Sequence, residues 1–222
     1  MENSVEHPNW FVETDVISIF EKNLSEYTGK KLDFLQIGVF TGDASLWLIE
    51  NILTHPESTL TDVDPWMGDP GLIGFDWETA YIAYKEKMSD YFGKVTPLQM
   101  MSDEFFKQNT KTYDIIYVDG DHVASAVLRD AIHAFDCLRD GGLLIFDDYE
   151  FGYHAIPSRF APKDAIDAFL QIHWFEFEKV FEGRQMWIKK VDRLAQNKIY
   201  NWQSPAREDA RTDPHFVNTS EI

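Results

Sequence analysis

The sequence predicts an α/β fold: a mostly parallel sheet with helices packed on its faces. Three observations carry that expectation. Strand-then-helix units recur along the chain, residues 113–149 read as strand, helix, strand, and two alternating aromatic-rich runs near the end read as a hairpin. Repeated β-α units imply parallel strands, and the hairpin adds one antiparallel strand. No internal repeat is present.

The elements follow in order. Val12, Val16, Ile19, Phe20 and Leu24 recur at helical spacing, so one amphipathic helix is expected over 12–28, closing near Thr28-Gly29. Leu32 to Gly38 is a strand that runs into the turn Val39-Phe40-Thr41-Gly42, and Ala44, Leu46, Trp47, Ile49 and Leu53 mark the next helix. Ser58 to Asp64 is a second strand, followed by a Gly-, Pro- and aromatic-rich loop from Met67 to Trp77 that could serve as a lid. A helix over 77–92, a strand at Val95 to Met100 and a short helix capped by Ser102-Asp103-Glu104 come next.

Ile115 to Val118 form an apolar run closed by Asp119-Gly120-Asp121, as in a strand buried on both faces. Val123, Val127, Asp130, Ala131, Ala134, Phe135 and Leu138 give the following helix, which Gly141-Gly142 is expected to end through a left-handed cap. Leu143 to Phe146 form another buried strand, stopping on Asp147-Asp148. An irregular loop from Tyr149 to Pro162, a helix around 165–170 and the strands Trp174 to Phe181 and Gln185 to Lys190 complete one domain over 1–191. Residues 192–222 are polar and mixed in sign, with Trp202 and Phe216 as isolated anchors, and read as a mobile or partner-dependent tail.

Composition limits the function. A net charge of -18 without a basic face repels a nucleic-acid backbone. No apolar run is long enough to span a bilayer, and the first residues lack a signal-peptide pattern, so a soluble, cytoplasmic protein is expected. The single cysteine, Cys137, excludes an internal disulfide and reads as a buried structural thiol. The N-terminal helix and the tail are candidate contacts for a homo-oligomer, although either can pack on its own domain.

If the strands ending at Asp119 and Asp147 are parallel neighbours, Asp119, Asp121, His122, Asp147 and Asp148 meet at the sheet edge where open α/β folds bind ligands. Gly38 and Gly42 allow a ligand close to the backbone at a helix N-terminus. A GxxxG turn without a third glycine does not fit the dinucleotide fingerprint, which disfavours an oxidoreductase. Asp64 or Asp62 can accept both hydroxyls of a ribose; the plainer reading of Asp64 is a turn residue before Pro65. Structural roles compete elsewhere too: Asp121 reads best as a helix cap, Asp148 can cap a turn, and a lone His122 can be structural. Trp66, Phe75 and Trp77 can stack on a sugar or fill core, and Tyr153, His154 and Arg159 can border an acceptor pocket or simply a surface loop.

From Leu32 to about Lys190 the chain resembles class I S-adenosylmethionine-dependent methyltransferases, through Gln36-Ile37-Gly38-Val39-Phe40-Thr41-Gly42, the acid at Asp64 and the closing hairpin. The resemblance implies a Rossmann-like, doubly wound, seven-stranded sheet with its last strand antiparallel and helices on both faces. It also implies cofactor contacts at Gln36, Gly38, Gly42, Asp64, Ser102 and Asp119, with Ser102 near the adenine. Gln36 stands where the family usually has an acid, so it offers no charge to the methionine ammonium.

Asp119 with His122 three residues on, and then Asp147-Asp148, is similar to the metal-dependent catechol and caffeoyl-CoA O-methyltransferases, and closer to macrocin-type sugar O-methyltransferases and cephalosporin-hydroxylase-like proteins. That implies a metal set of Asp119, Asp147 and Asp148, catalytic roles for His122 and Asp119, and a sugar, glycan or small-molecule hydroxyl as acceptor. Hard oxygen ligands suit Mg2+, or Ca2+ or Mn2+, better than zinc. A metal-independent methyltransferase and a non-catalytic nucleoside-binding or assembly module are the alternatives.

Overall fold

The computed structural model describes residues 7–67, 76–152 and 154–191. Seven strands, β1 (Asp33–Ile37), β2 (Thr59–Asp64), β3 (Val95–Gln99), β4 (Tyr113–Val118), β5 (Leu138–Phe146), β6 (Phe177–Glu182) and β7 (Met186–Lys190), form one sheet in the order β3-β2-β1-β4-β5-β7-β6. The first five are parallel, and β7 runs antiparallel between β5 and β6. Helices α1 (Trp10–Glu13), α2 (Val16–Leu24), α3 (Asp43–Asn51), α4 (Trp77–Met88), α5 (Ser102–Gln108), α6 (Ala124–Cys137) and α7 (Pro162–Ile172) cover its faces.

Alternation along each strand divides the core into two layers. Phe34, Ile115, Tyr117, Ile145 and Trp187 face α2, α3 and α4, whereas Leu35, Ile37, Ile116, Val118 and Phe146 face α5, α6 and α7. Because both faces are covered, Ile115–Val118 of β4 and Leu143–Phe146 of β5 are unbroken apolar runs rather than half-polar ones. Phe20 of α2 is fully buried and meets Tyr117 and Trp187 edge-on at 5.2 and 5.3 Å, tying the N-terminal helix to the middle of the sheet.

Three local expectations are corrected. The N-terminal helix is broken at Thr14-Asp15 and frays into a 3-10 turn at Ser25–Tyr27. Asn9 caps α1 through its side chain, and the Thr14 hydroxyl donates to the Trp10 carbonyl at 2.7 Å while its backbone turns extended, closing that helix after one turn. Gly141-Gly142 do not cap α6, which ends at Cys137 with Leu138 already extended and paired with Tyr113. Instead they serve an irregularity at the start of β5: Gly141 has φ +79, and a Cβ on Gly142 would lie 2.7 Å from the Asp114 carbonyl. Ser102 opens α5 without a capping bond, because the N-cap position belongs to Met101. The lid loop around Phe75, together with Tyr153 and the 192–222 tail with Trp202 and Phe216, lies outside the described residues. No helix among the described residues is long and apolar enough to cross a membrane.

Candidate active site

Strand order reverses between β1 and β4, which opens a crevice at their C-terminal ends, the position where open α/β sheets take ligands. Gly38 sits there with φ +82, and a Cβ on it would lie 1.9 Å from the Asp119 carbonyl oxygen. Only glycine lets the first turn pass β4 so closely. Gly42, φ +78, lies against the Tyr84 ring in the same way and opens α3.

The residues expected to touch a cofactor hold this turn in shape. Gln36, almost wholly buried, donates from Nε2 to the Gly38 carbonyl at 3.0 Å and accepts from Ser45 Oγ at 3.2 Å. Asp64 accepts from the Val39 and Phe40 amides at 2.7 and 3.0 Å through Oδ2, and from the Trp66 amide at 2.6 Å through Oδ1. Burial raises its pKa and these three donors pull it back. The Trp66 indole donates to the Phe40 carbonyl at 2.7 Å, and its ring packs on Tyr81 and Tyr84, so Trp66 supports the turn from the core. Trp77 meets Phe40 edge-on at 5.8 Å. Asp62, the other ribose candidate, is buried beneath, with the Tyr84 hydroxyl on Oδ2 at 2.9 Å and no partner on Oδ1. Ser102 lies close enough to the buried Asp130 carboxyl to draw its pKa down against the burial that raises it, a neighbour that its sequence position did not signal.

At the neighbouring strand ends the acids converge as the pattern of two parallel strands requires. The Tyr117 phenol contacts Asp119 Oδ2 at 3.1 Å and makes a short hydrogen bond to Asp147 Oδ2, so both carboxylates lie within reach of one oxygen atom. A phenol has one proton to give and cannot satisfy both at once. Asp119, Asp147 and Asp148 keep some surface at the mouth of a cleft shared with His122, Val127 and Ile166, yet they are densely surrounded by protein. Burial, and after it the Asp147 and Asp148 charges, pushes the Asp119 pKa well up; burial and Asp148 do the same to Asp147. Like charges with too few donors are what a bound cation relieves.

Asp148 has φ +54 and turns its carboxylate to His122 Nε2 at 2.7 Å. The His122 ring also lies 4.9 Å from that of Phe151. Asp121 accepts from the Val123 amide at 2.7 Å, making a turn just ahead of α6 rather than capping the helix itself. His154 and Arg159 are exposed on the loop beyond β5, where Arg159 lies over the Phe160 ring.

The oxygen donors fit a hard divalent ion in kind and charge. In their present rotamers, however, Asp148 points to His122, and no group of three His, Cys, Asp or Glu among the described residues is already gathered as a ligand set. A small rotation of Asp148 away from His122 would have to accompany binding.

Three participants were missed from sequence. Tyr117 read only as part of an apolar strand, although a buried phenol needs a partner and Asp119 is two residues on. Arg184 and Gln185 read only as hairpin residues. Pairing of β5 with β7 brings them to the acids: the Arg184 carbonyl accepts from the Tyr149 amide at 2.8 Å, and its guanidinium lowers the Asp119 pKa against the stronger effects that raise it. No local signal announces such a long-range approach.

The sheet order, the antiparallel seventh strand and the glycine turn facing acids across the switch point define a class I methyltransferase fold. Residues 35–149 match the family described as a methyltransferase domain, and the chain belongs to that family. Among solved structures, an O-methyltransferase from Bacillus cereus in complex with SAH superposes with a TM-score of 0.59 at 12% identity, over 86% of this chain and 85% of that one. The O-methyltransferase TomG from Streptomyces achromogenes, involved in tomaymycin synthesis and solved with SAM, gives 0.58 at 11% identity over 86% and 84%. MycE methyltransferase of the mycinamycin biosynthetic pathway, solved with Mg and SAH, gives 0.54 at 15% identity over 85% of this chain and 51% of that one. At these identities the likeness is one of fold. No curated protein sequence matches the chain.

Proposed function

We propose that this chain transfers the methyl group of S-adenosylmethionine to a hydroxyl of a sugar or other small molecule, assisted by a divalent cation held by Asp119, Asp147 and Asp148. The observation that carries the reading is the convergence of Asp119 and Asp147 on one phenol oxygen, with Asp148 beside them, across the crevice from Gly38. Neighbours of the same fold solved with SAM, SAH or Mg lend support.

In this reading Gln36 and Asp64 hold the Gly38–Gly42 turn so that its backbone, rather than their own side chains, meets the cofactor. Ser102 borders the adenine side. A bound cation would lower the acceptor hydroxyl's pKa and orient its oxygen. That oxygen attacks the methyl carbon, the S–CH3 bond breaks, and its electron pair returns to sulfur, leaving a neutral thioether. His122 takes the hydroxyl proton once Asp148 has turned from it, where it lies at 2.7 Å, toward the cation.

Calorimetric titration with S-adenosylmethionine, with Mg2+ and with EDTA, tests the reading alongside labelled methyl transfer to a panel of glycans and small hydroxylated molecules. Cofactor binding, a separate Mg2+ heat and turnover lost in EDTA are expected. Absence of cofactor binding under every condition sinks it. A metal-independent methyltransferase is the second reading, favoured by the formed His122–Asp148 pair, and turnover undiminished in EDTA decides for it.

A further inference from the structure

The β6–β7 turn places an amide at the acid cluster whose orientation is fixed from behind. In the antiparallel β5–β7 ladder Met186 pairs with Phe146, so Gln185 continues the ladder beside Asp147. Gln185 is wholly buried, and its Oε1 accepts from the Trp187 indole Nε1 at 2.9 Å. An indole N–H can only donate, so turning the amide over would set donor against donor. The NH2 group is therefore held on the other side. It has no partner within hydrogen-bonding distance, and the ladder, carried on by the Tyr149 amide donating to the Arg184 carbonyl at 2.8 Å, keeps Gln185 beside Asp147, whose carboxylate accepts from the Tyr117 hydroxyl and the Asp148 amide. A buried amide donor left short of a bond is costly, and the core keeps it. Trp187 is itself clamped, fully buried, by the Phe20 ring that also backs Tyr117.

We propose that Gln185 is a positioning residue for Asp147: its amide, locked by Trp187, turns the carboxylate toward the cleft and so sets its affinity for a divalent cation. The inference rests on the metal-assisted reading above. Gln185 touches neither acceptor nor cofactor and acts only through Asp147. If the amide merely satisfied the Trp187 indole, its loss would lower stability and leave ion binding in the folded protein unchanged.

Mn2+ titration of the full chain at fixed pH, followed by calorimetry, separates these outcomes, with S-adenosylmethionine titration as the control. For Gln185→Met, folded by circular dichroism, Mn2+ affinity should fall about 10-fold to 100-fold, the loss typical of a group that orients a metal ligand, with cofactor affinity within about twofold. Trp187→Phe keeps the amide but frees it to rotate, so a smaller loss, about threefold or more, is expected. Mn2+ affinity within about twofold of the wild type in Gln185→Met overturns the inference, as it does in Trp187→Phe should Gln185→Met not fold. A wild-type chain that takes up no Mn2+ instead overturns the metal-assisted reading, and this inference with it.

Discussion

Gly38→Ala is the sharpest test of how the crevice is built. The added methyl would lie 1.9 Å from the Asp119 carbonyl oxygen and 2.8 Å from the Gly120 Cα. Both are backbone, and the Asp119 amide is itself bonded to the Ile37 carbonyl at 2.8 Å, so nothing flexible can yield. The residue also has φ +82, where a side chain costs about 1–2 kcal/mol. Overpacking adds about 1–3 kcal/mol, and the two effects together come to about 2–5 kcal/mol. At about 2–4 °C per kcal/mol for a chain of this size, the melting temperature should drop by roughly 4–20 °C. Parting β1 from β4 should also weaken S-adenosylmethionine binding by an order of magnitude or more. Gly93→Ala is the control, because nothing lies within 4 Å of a Cβ there; it should leave stability unchanged or raise it by about 0.4–1 kcal/mol. Thermal melts and cofactor titration of the two variants decide the matter. A Gly38→Ala protein that melts and binds like Gly93→Ala refutes the close-approach argument.

Other expectations concern the buried acids. Burial is the main cause that lifts Asp62 to about 7 and Asp130 and Asp147 to about 6, from an ordinary 3.8, so the folded chain keeps protons that the unfolded chain has released between about pH 4 and 7. Stability should therefore fall as pH rises through that window, by on the order of 3–4 kcal/mol per group, and urea unfolding across it would contradict this if stability rose instead. Asp62→Asn should flatten the upper part of the profile. Asp147→Ala should abolish methyl transfer while cofactor binding largely survives; loss of binding with turnover intact in chelator would count against the metal role. Tyr117→Phe keeps the ring against Phe20 but strips the shared hydroxyl from two carboxylates, so chemical denaturation near neutral pH should report a loss of about 1–3 kcal/mol.

Much of this was legible from local pattern. Ile115 to Val118 and Leu143 to Phe146 announced strands covered on both faces, and each stops on acids that the parallel pairing of β4 with β5 does bring together. Errors fell where a local signal has two uses. A Gly-Gly pair after a helix reads as a cap, but Gly141 and Gly142 serve a strand irregularity whose partner, Asp114, comes from β4. Thr14 and Asp15 sit within an unbroken apolar periodicity, and the break there sets Phe11 edge-on to Phe20 at 5.4 Å.

The sequence by itself determined the β-α succession, the glycine turn and the acids at two strand ends, because buried strands demand apolar runs and turns demand particular residues within a few positions. Only the tertiary structure decided what those groups face. Gln36 and Asp64 are turned inward to hold a loop, Tyr117 joins Asp119 to Asp147, and the β5–β7 ladder sets Gln185 beside Asp147 from 38 residues further along the chain. The reason is physical: hydrogen bonds and charge effects act over a few ångströms in space, and which residues come that close is set by the packing of the whole sheet rather than by neighbours in sequence.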